Sequence, residues 1–164
     1  MQVRQAAVAD AEAIARVHVQ TWQAAYAHVF GHERLDGLDV SRRIARWTRS
    51  LSGGETAFVA EEDGLIVAFV SVGAARDLDG VGELYAIYAV PEAWGAGAGT
   101  ALMRVATDAL RESGYSEAIL WVLEDNPRAR RFYEREGWSL DGARKEDEFL
   151  GLRVAEVRYR IKLG

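Results

Sequence analysis

The stretch from Val90 to Met103, VPEAWGAGAGTALM, constrains this chain more than any other. An apolar run gives way to glycines at 95, 97 and 99 and then to a helical pattern. Upstream, Leu84 to Val90 is almost wholly apolar and rich in aromatic and β-branched residues, which suits a short strand buried on both faces. Downstream, Ala101, Leu102, Val105, Ala106, Ala109 and Leu110 recur at helical spacing until Ser113-Gly114 closes the pattern. Glycines between the two elements remove the side chains that would hold a ligand off the backbone. Several N–H groups and the positive end of the helix dipole can then converge on one anion. A plain surface turn satisfies the same glycines. The pattern G-x-x-x-x-G-K-[ST] is absent, and the G-x-G-x-x-G register that begins at Gly97 meets Leu102 where its third glycine belongs, which argues against nucleoside triphosphates and nicotinamide cofactors.

The chain has 164 residues, 49% of them hydrophobic, enough for one domain with a sizeable core. It contains no apolar run of roughly 18 residues, and Met1-Gln2-Val3-Arg4 opens no signal-like segment, so the expectation is a cytoplasmic protein without a membrane partner. The absence of cysteine excludes disulfides, thiolate metal sites and an acyl-cysteine route. A net charge of −5 argues against a nucleic-acid partner and mildly favours a cationic one. His18, His28 and His32 have no acidic or histidine neighbours at ligand spacing, so no metal is expected. No G-x-S-x-G elbow is present.

Taken in order, Gln2 to Ala6 reads as a first strand, and Asp10 is placed to cap a helix carrying Ile14, Val17, His18, Thr21, Trp22 and Ala25 on one face. Asp39 caps a second helix with Val40, Ile44, Trp47 and Leu51. Tyr26 to Leu38 between them reads as a covering loop. Glu55 to Glu61 and Leu65 to Val72 form a hairpin through Glu62-Asp63-Gly64. Glu117 to Leu123 is another buried strand, parallel to the one before the glycines because a helix joins them. Asn126-Pro127 starts a further helix that Gly137 ends. Asp141 to Glu148 reads as a charged connection. In the tail, Glu156 to Leu163 alternates strictly, with Val157, Tyr159, Ile161 and Leu163 inward and four charged residues outward.

The glycine loop resembles the acetyl-CoA diphosphate loop of the GNAT superfamily of N-acetyltransferases, and the segment Asn126 to Trp138, NPRARRFYEREGW, resembles that superfamily's second signature. The likeness covers nearly the whole chain. It implies one N-acetyltransferase domain over residues 1–164: an α/β fold with a mixed, mostly antiparallel sheet of six to seven strands, helices on both faces and a splay between strands four and five. It implies acetyl-CoA as co-substrate, with the diphosphate on the amides of Gly95, Ala96, Gly97, Ala98, Gly99 and Thr100 and the pantetheine arm along Tyr88, Ala89 and Val90. Trp94 stands where the family pattern has Gln or Arg. The resemblance implies Tyr133 as proton donor to the departing thiolate and Glu83 as base, with Glu124 and Asp125 as alternatives. Glu83, Tyr85 and Ile87 are read as sharing one strand face. Asn126 is a helix cap and a cofactor contact, and Arg128, Arg130 and Arg131 are within reach of the cofactor's terminal phosphate or form a solvated face. Trp22 and Tyr26 are read either as contacts to the acceptor, a small-molecule or peptide amine, or as plain core packing. A homodimer stays open, and so does a non-catalytic acyl-CoA-binding sensor of the same fold.

Overall fold

A computed structural model describes residues 1–164. Its strands are β1 (Gln2–Gln5), β2 (Thr56–Glu62), β3 (Leu65–Ala74), β4 (Gly82–Ala89), β5 (Glu117–Leu123), β6 (Ser139–Phe149) and β7 (Leu152–Lys162), joined in one sheet in the order β1-β2-β3-β4-β5-β7-β6. The helices are α1 (Ala11–Ala25), α2 (Ala27–Asp36), α3 (Val40–Ser52), α4 (Ala98–Glu112) and α5 (Pro127–Arg135). All neighbouring strands are antiparallel except β4 and β5, which the α4 crossover makes parallel. That parallel pair is short: only Gly82↔Ala118 and Glu83↔Ile119 are in register, and beyond them the two strands part.

Each helix forms for a local reason and is held by the face it buries. In α3 the Asp39 carboxylate accepts the Arg42 amide at 3.2 Å, and in α5 the Asn126 side chain accepts that of Ala129 at 3.2 Å, with Pro127 pre-set for the first turn. The β2–β3 hairpin turns on Asp63 and Gly64, both at positive φ, as a tight primed turn requires. On one side of the sheet α4 buries Leu102, Ala106 and Leu110 against Val70, Leu84 and Leu120. On the other, α1 and α3 bury Ile14, Val17 and Trp47 against Val59 and Phe69. Each such aliphatic side chain contributes about 1.5–3 kcal/mol when fully buried.

Four expectations change. Asp10 does not cap α1. Its carboxylate takes the Ala7 amide at 2.7 Å and the Arg4 guanidinium at 2.8 and 2.9 Å, tying β1 to the turn before the helix. Residues Tyr26 to Leu38 are mostly helical, because Phe30 and Leu35 are buried, with a break at Gly31 (φ 78°, ψ 156°) where α2 kinks. Asp141 to Glu148 is not a connection but most of β6, which pairs with β7 through a turn at Leu150 and Gly151, both at positive φ. The charged side of β7 is only partly turned to solvent: Lys162 is exposed, but Arg158 and Arg160 reach Asp141 at 2.6 and 3.3 Å, and Glu156 faces inward.

The Asp10 ion pair generates a test. Hydrogen bonding from Arg4 holds the Asp10 carboxyl below its usual range. Its stabilisation is therefore complete above the unfolded aspartate value of about 3.9 and is lost as pH falls through the lower folded value. Asp10→Asn should cost about 1–2 kcal/mol at pH 7 and progressively less on acidification, read from urea midpoints at pH 7 and pH 3.

Candidate functional site

Where β4 and β5 part, a cleft of about 1340 Å³ runs from the glycine loop through the sheet to α1 and α3. At its mouth, Gly95 (φ 81°) and Gly97 (φ 88°) occupy the left-handed region that side chains resist. The Ala96 amide is spent on Ala93 O at 3.2 Å, so it is not a free donor. The amides of Gly95, Gly97, Ala98, Gly99 and Thr100 have no protein acceptor, the last three being the first turn of α4. Five donors at a helix N-terminus suit a diphosphate. Gly99 also matters for packing, because a Cβ there would stand 3.1 Å from the Phe132 ring, and its absence lets α5 close on α4.

Trp94 donates its indole N–H to Ala89 O at 2.8 Å, and Thr21 donates its hydroxyl to the same oxygen at 3.1 Å. The Arg128 guanidinium lies over the Trp94 ring, 3.6 Å from its centroid. A cation from α5 thus stands at the loop mouth where the loop's own residue is apolar.

Strand β4 does not keep a regular alternation. Val72 pairs with Leu84 and Ser71 with Ala86, leaving Tyr85 as a bulge. As a result Leu84 and Ile87 both face the α4 core, while Ala86 and Tyr88 face α1 and α3, so Glu83, Tyr85 and Ile87 do not share a face. Past the bulge, Val90 N donates to Val67 O at 2.9 Å, so Val90 and Tyr88 direct their main-chain groups at β3. Those of Ala89 and Ile87 point into the gap, which makes Ile87, rather than Tyr88 or Val90, the partner of Ala89 on the open edge.

Tyr133 is buried beside the cleft, with Phe132 and Tyr159 ring centroids 5.6 and 6.1 Å away, and burial pushes its phenol up. Asn126 is committed to the protein: its oxygen caps α5 and its nitrogen donates to Tyr26 Oη at 3.0 Å. It positions Tyr26, which packs edge-on against Trp22 at 4.8 Å, and both rings line the cleft.

Five carboxylates line the cleft, Glu55, Asp77, Glu83, Asp147 and Glu156, and burial raises the pKa of Glu55, Glu83 and Glu156. Glu83 is only 4% exposed and accepts the Arg76 amide at 3.1 Å; burial pushes its pKa up against the pull of Arg76. Glu156 is the functional candidate missed in sequence, since strict alternation assigned it to an outward face. The register of β7 against β5 sets it opposite Leu123, at the end of β5 from which β4 has parted; burial pushes it up too, with Lys145 3.9 Å away. Glu124 is drawn off into an exposed pair with Arg144 at 3.0 Å, and neither it nor Asp125 lines the cleft.

His18 lines the far end. Its ring accepts from Trp47 Nε1 at 3.4 Å and sits 5.0 Å from Tyr88. Burial, reinforced by Arg43 and Arg46, pushes its pKa down to about 3. It is a neutral part of the cleft wall. His28 instead meets Asp125 O at 3.0 Å.

Residues 12–138 match the family described as Acetyltransferase (GNAT) family. The chain is 35% identical over 160 residues to the uncharacterized N-acetyltransferase YuaI of Bacillus subtilis, covering 94% of this chain and 89% of that one. It is 31% identical over 137 residues to an uncharacterized N-acetyltransferase of Archaeoglobus fulgidus, covering 81% and 89%. Among solved structures it superposes with a TM-score of 0.76 on yncA of Salmonella typhimurium, a structure described with its cofactor acetyl-CoA, at 22% identity and with 100% and 94% of the two chains covered. No helix is long and apolar enough to cross a membrane.

Because His18 is held neutral, the unfolded chain binds its proton first as pH drops below about 6.5, so this contribution is present above that pH and erodes below it. Replacing it with glutamine, which cannot titrate, should shrink the fall in urea midpoint between pH 7.5 and pH 5, while lowering stability at pH 7.5 by about 1 kcal/mol.

Proposed function

The chain belongs to the acetyltransferase (GNAT) family, and from that premise we propose that residues 1–164 form one domain that transfers an acetyl group from acetyl-CoA directly to a primary amine held in the same cleft. The observation that carries this reading is the set of five unpaired amides from Gly95 to Thr100, continuous with the open edge of β4. An extended amide-bearing arm beside Ile87 and Ala89 would satisfy main-chain groups that β5 leaves without a strand, as an added strand does. Arg128, resting on Trp94, adds a positive charge beside the diphosphate.

Bound acetyl-CoA supplies an activated acyl group; the rest is work for this chain. A lysine-like amine, with a pKa of about 10.4, must lose a proton before its nitrogen can form the new C–N bond. Three carboxylates that line the cleft, Glu156, Glu83 and Glu55, have raised pKa and are able to take it, directly or through water; Glu55 stands at the Arg46 end. Of the other two, Glu156 raises the Tyr26 and Tyr88 phenols, which also interact with Tyr133, and this supports it as the base nearer Tyr133, whereas Glu83 lies beside Tyr85 and Arg76. When the C–S bond breaks, the sulfur leaves with its electron pair and takes a proton. Tyr133, buried and uncharged, is the donor toward that end of the cleft.

Acetyl-CoA at 100 times its dissociation constant should stabilise the protein by about 2.7 kcal/mol in a thermal-shift assay. Tyr133→Phe should keep that stabilisation and lose about 10²-fold in amine-dependent CoA release. Stabilisation without transfer to any amine in a broad screen would leave an acyl-CoA-binding module instead.

A carboxylate base gives kcat/KM an acidic limb, because the rate falls as the carboxylate protonates. Glu156→Gln should flatten that limb more than Glu83→Gln, as measured by kcat/KM between pH 5 and pH 8.

A further inference from the structure

Charge around the cleft is divided in a way that amine transfer alone does not require. Arg43, on α3, is half-buried and reaches no carboxylate; its polar neighbour is His18 Nε2 at 3.5 Å. Arg46, three residues further on the same helix and exposed, lines the same cleft and adds a second positive charge next to the first, but Glu55 stands near it, so Arg43 is the one of the pair left without a carboxylate. A cation drawn out of water without a counter-ion is costly, and the burial that costs it also makes any anion brought alongside bind more firmly. On the opposite side stand Glu156 and Glu83, the first met by Lys145 only at 3.9 Å and the second by the Arg76 guanidinium at 3.7 Å. Tyr88 lies between the two groups. Its ring is 5.0 Å from that of His18, which touches Arg43, and Arg43 and Glu156 act on its phenol with opposite sign. The acceptor end therefore has Arg43, without a carboxylate partner, on the α3 side, and on β4 and β7 two buried carboxylates, Glu83 and Glu156, each met by its cation, Arg76 or Lys145, at no closer than 3.7 Å.

Resting on the amine-acetylating reading above, we propose that the acceptor is a free amino acid or a close zwitterionic relative, its carboxylate bound by Arg43 with Arg46 and its ammonium group drawn to Glu156 and Glu83. The planar fork of an arginine matches a carboxylate with two parallel hydrogen bonds. A polyamine offers that side nothing but repulsion. A peptide N-terminus presents a neutral amide where the carboxylate belongs, leaving Arg43 as unpaired as it is in the free protein. In the proposed arrangement the carboxylate neutralises the cationic side, and the amine is turned toward the carboxylates that deprotonate it.

The test is a set of matched triplets, such as L-methionine, L-methioninamide and 3-(methylthio)propylamine, and likewise L-phenylalanine, L-phenylalaninamide and phenethylamine, extended through the common amino acids. Each is assayed for CoA release at saturating acetyl-CoA. In at least one triplet the free acid should exceed both its carboxamide and its decarboxylated amine by tenfold or more in kcat/KM, with the difference residing in KM. Arg43→Gln should collapse that ratio to within about twofold while leaving the acetyl-CoA thermal shift in place, and Arg43→Lys should restore part of it. Equal rates for acids and amides, an undiminished ratio in Arg43→Gln, or no turnover of any free acid would overturn the proposal. If acetyl-CoA still stabilises the protein and amides or simple amines are acetylated, only the zwitterion assignment falls. If acetyl-CoA fails to stabilise it, the acetyltransferase reading falls first. Should Arg43→Gln not fold, the acid-to-amide ratio of the unmodified protein decides alone.

Discussion

The structure depends on the parting of β4 from β5 after only two registered positions. A sheet interior normally satisfies every main-chain N–H and C=O across the strand gap, and a gap left open in the middle of a domain carries a penalty unless something else fills it. Here the protein fills part of it. Trp94 and Thr21 both donate to Ala89 O, and the bulge at Tyr85 turns the end of β4 so that Ile87 and Ala89 look into the gap. What is left unpaired continues directly into the unpaired amides of the glycine loop. The cleft is thus a consequence of sheet geometry before it is a consequence of any side chain.

The three glycines at its mouth are not equivalent. Gly95 and Gly97 are required by backbone conformation, whereas Gly99 is required by space, since α5 presses Phe132 against it. Through that contact the loop proposed to hold a diphosphate and the helix that carries Tyr133 are packed as one piece. Asn126 extends the same connection by holding the start of α5 with one atom and Tyr26 with another. The groups proposed to bind, to donate a proton and to contact the acceptor therefore rest on a shared framework, which favours the precise placement that transfer chemistry needs.

The central strands and the two signature segments were legible in the sequence because burial on both faces writes continuous apolar runs, and because caps and glycines mark the turns beside them. Other parts left no such trace. Strand β6 lies at the margin of the sheet, so Asp141 to Glu148 carries the charges of a loop while keeping the hydrogen bonds of a strand. The kinked α2 is broken by Gly31, which hides its period. The bulge at Tyr85 shifts alternation by one residue without any change in composition, so the face on which Glu83 sits could not be counted along the strand. Glu156 was obscured by its position on a strand that alternates cleanly. Alternation identifies two faces, but only the position of the cleft shows that Glu156, on the charged one, is turned inward.

The same marginal strand has a consequence for how these molecules meet one another. At one border the sheet ends in the four residues of β1, too short to template a neighbour, and at the other in β6, where Arg144, Lys145, Glu146, Asp147 and Glu148 follow in succession. A strand from a second molecule arriving there would have to set its own side chains against a line of closely spaced, mixed charges. Exposed β-edges are where runaway sheet extension begins, and here both are blunted, so a chain whose central strands are strongly apolar is kept from zipping into fibrous aggregates.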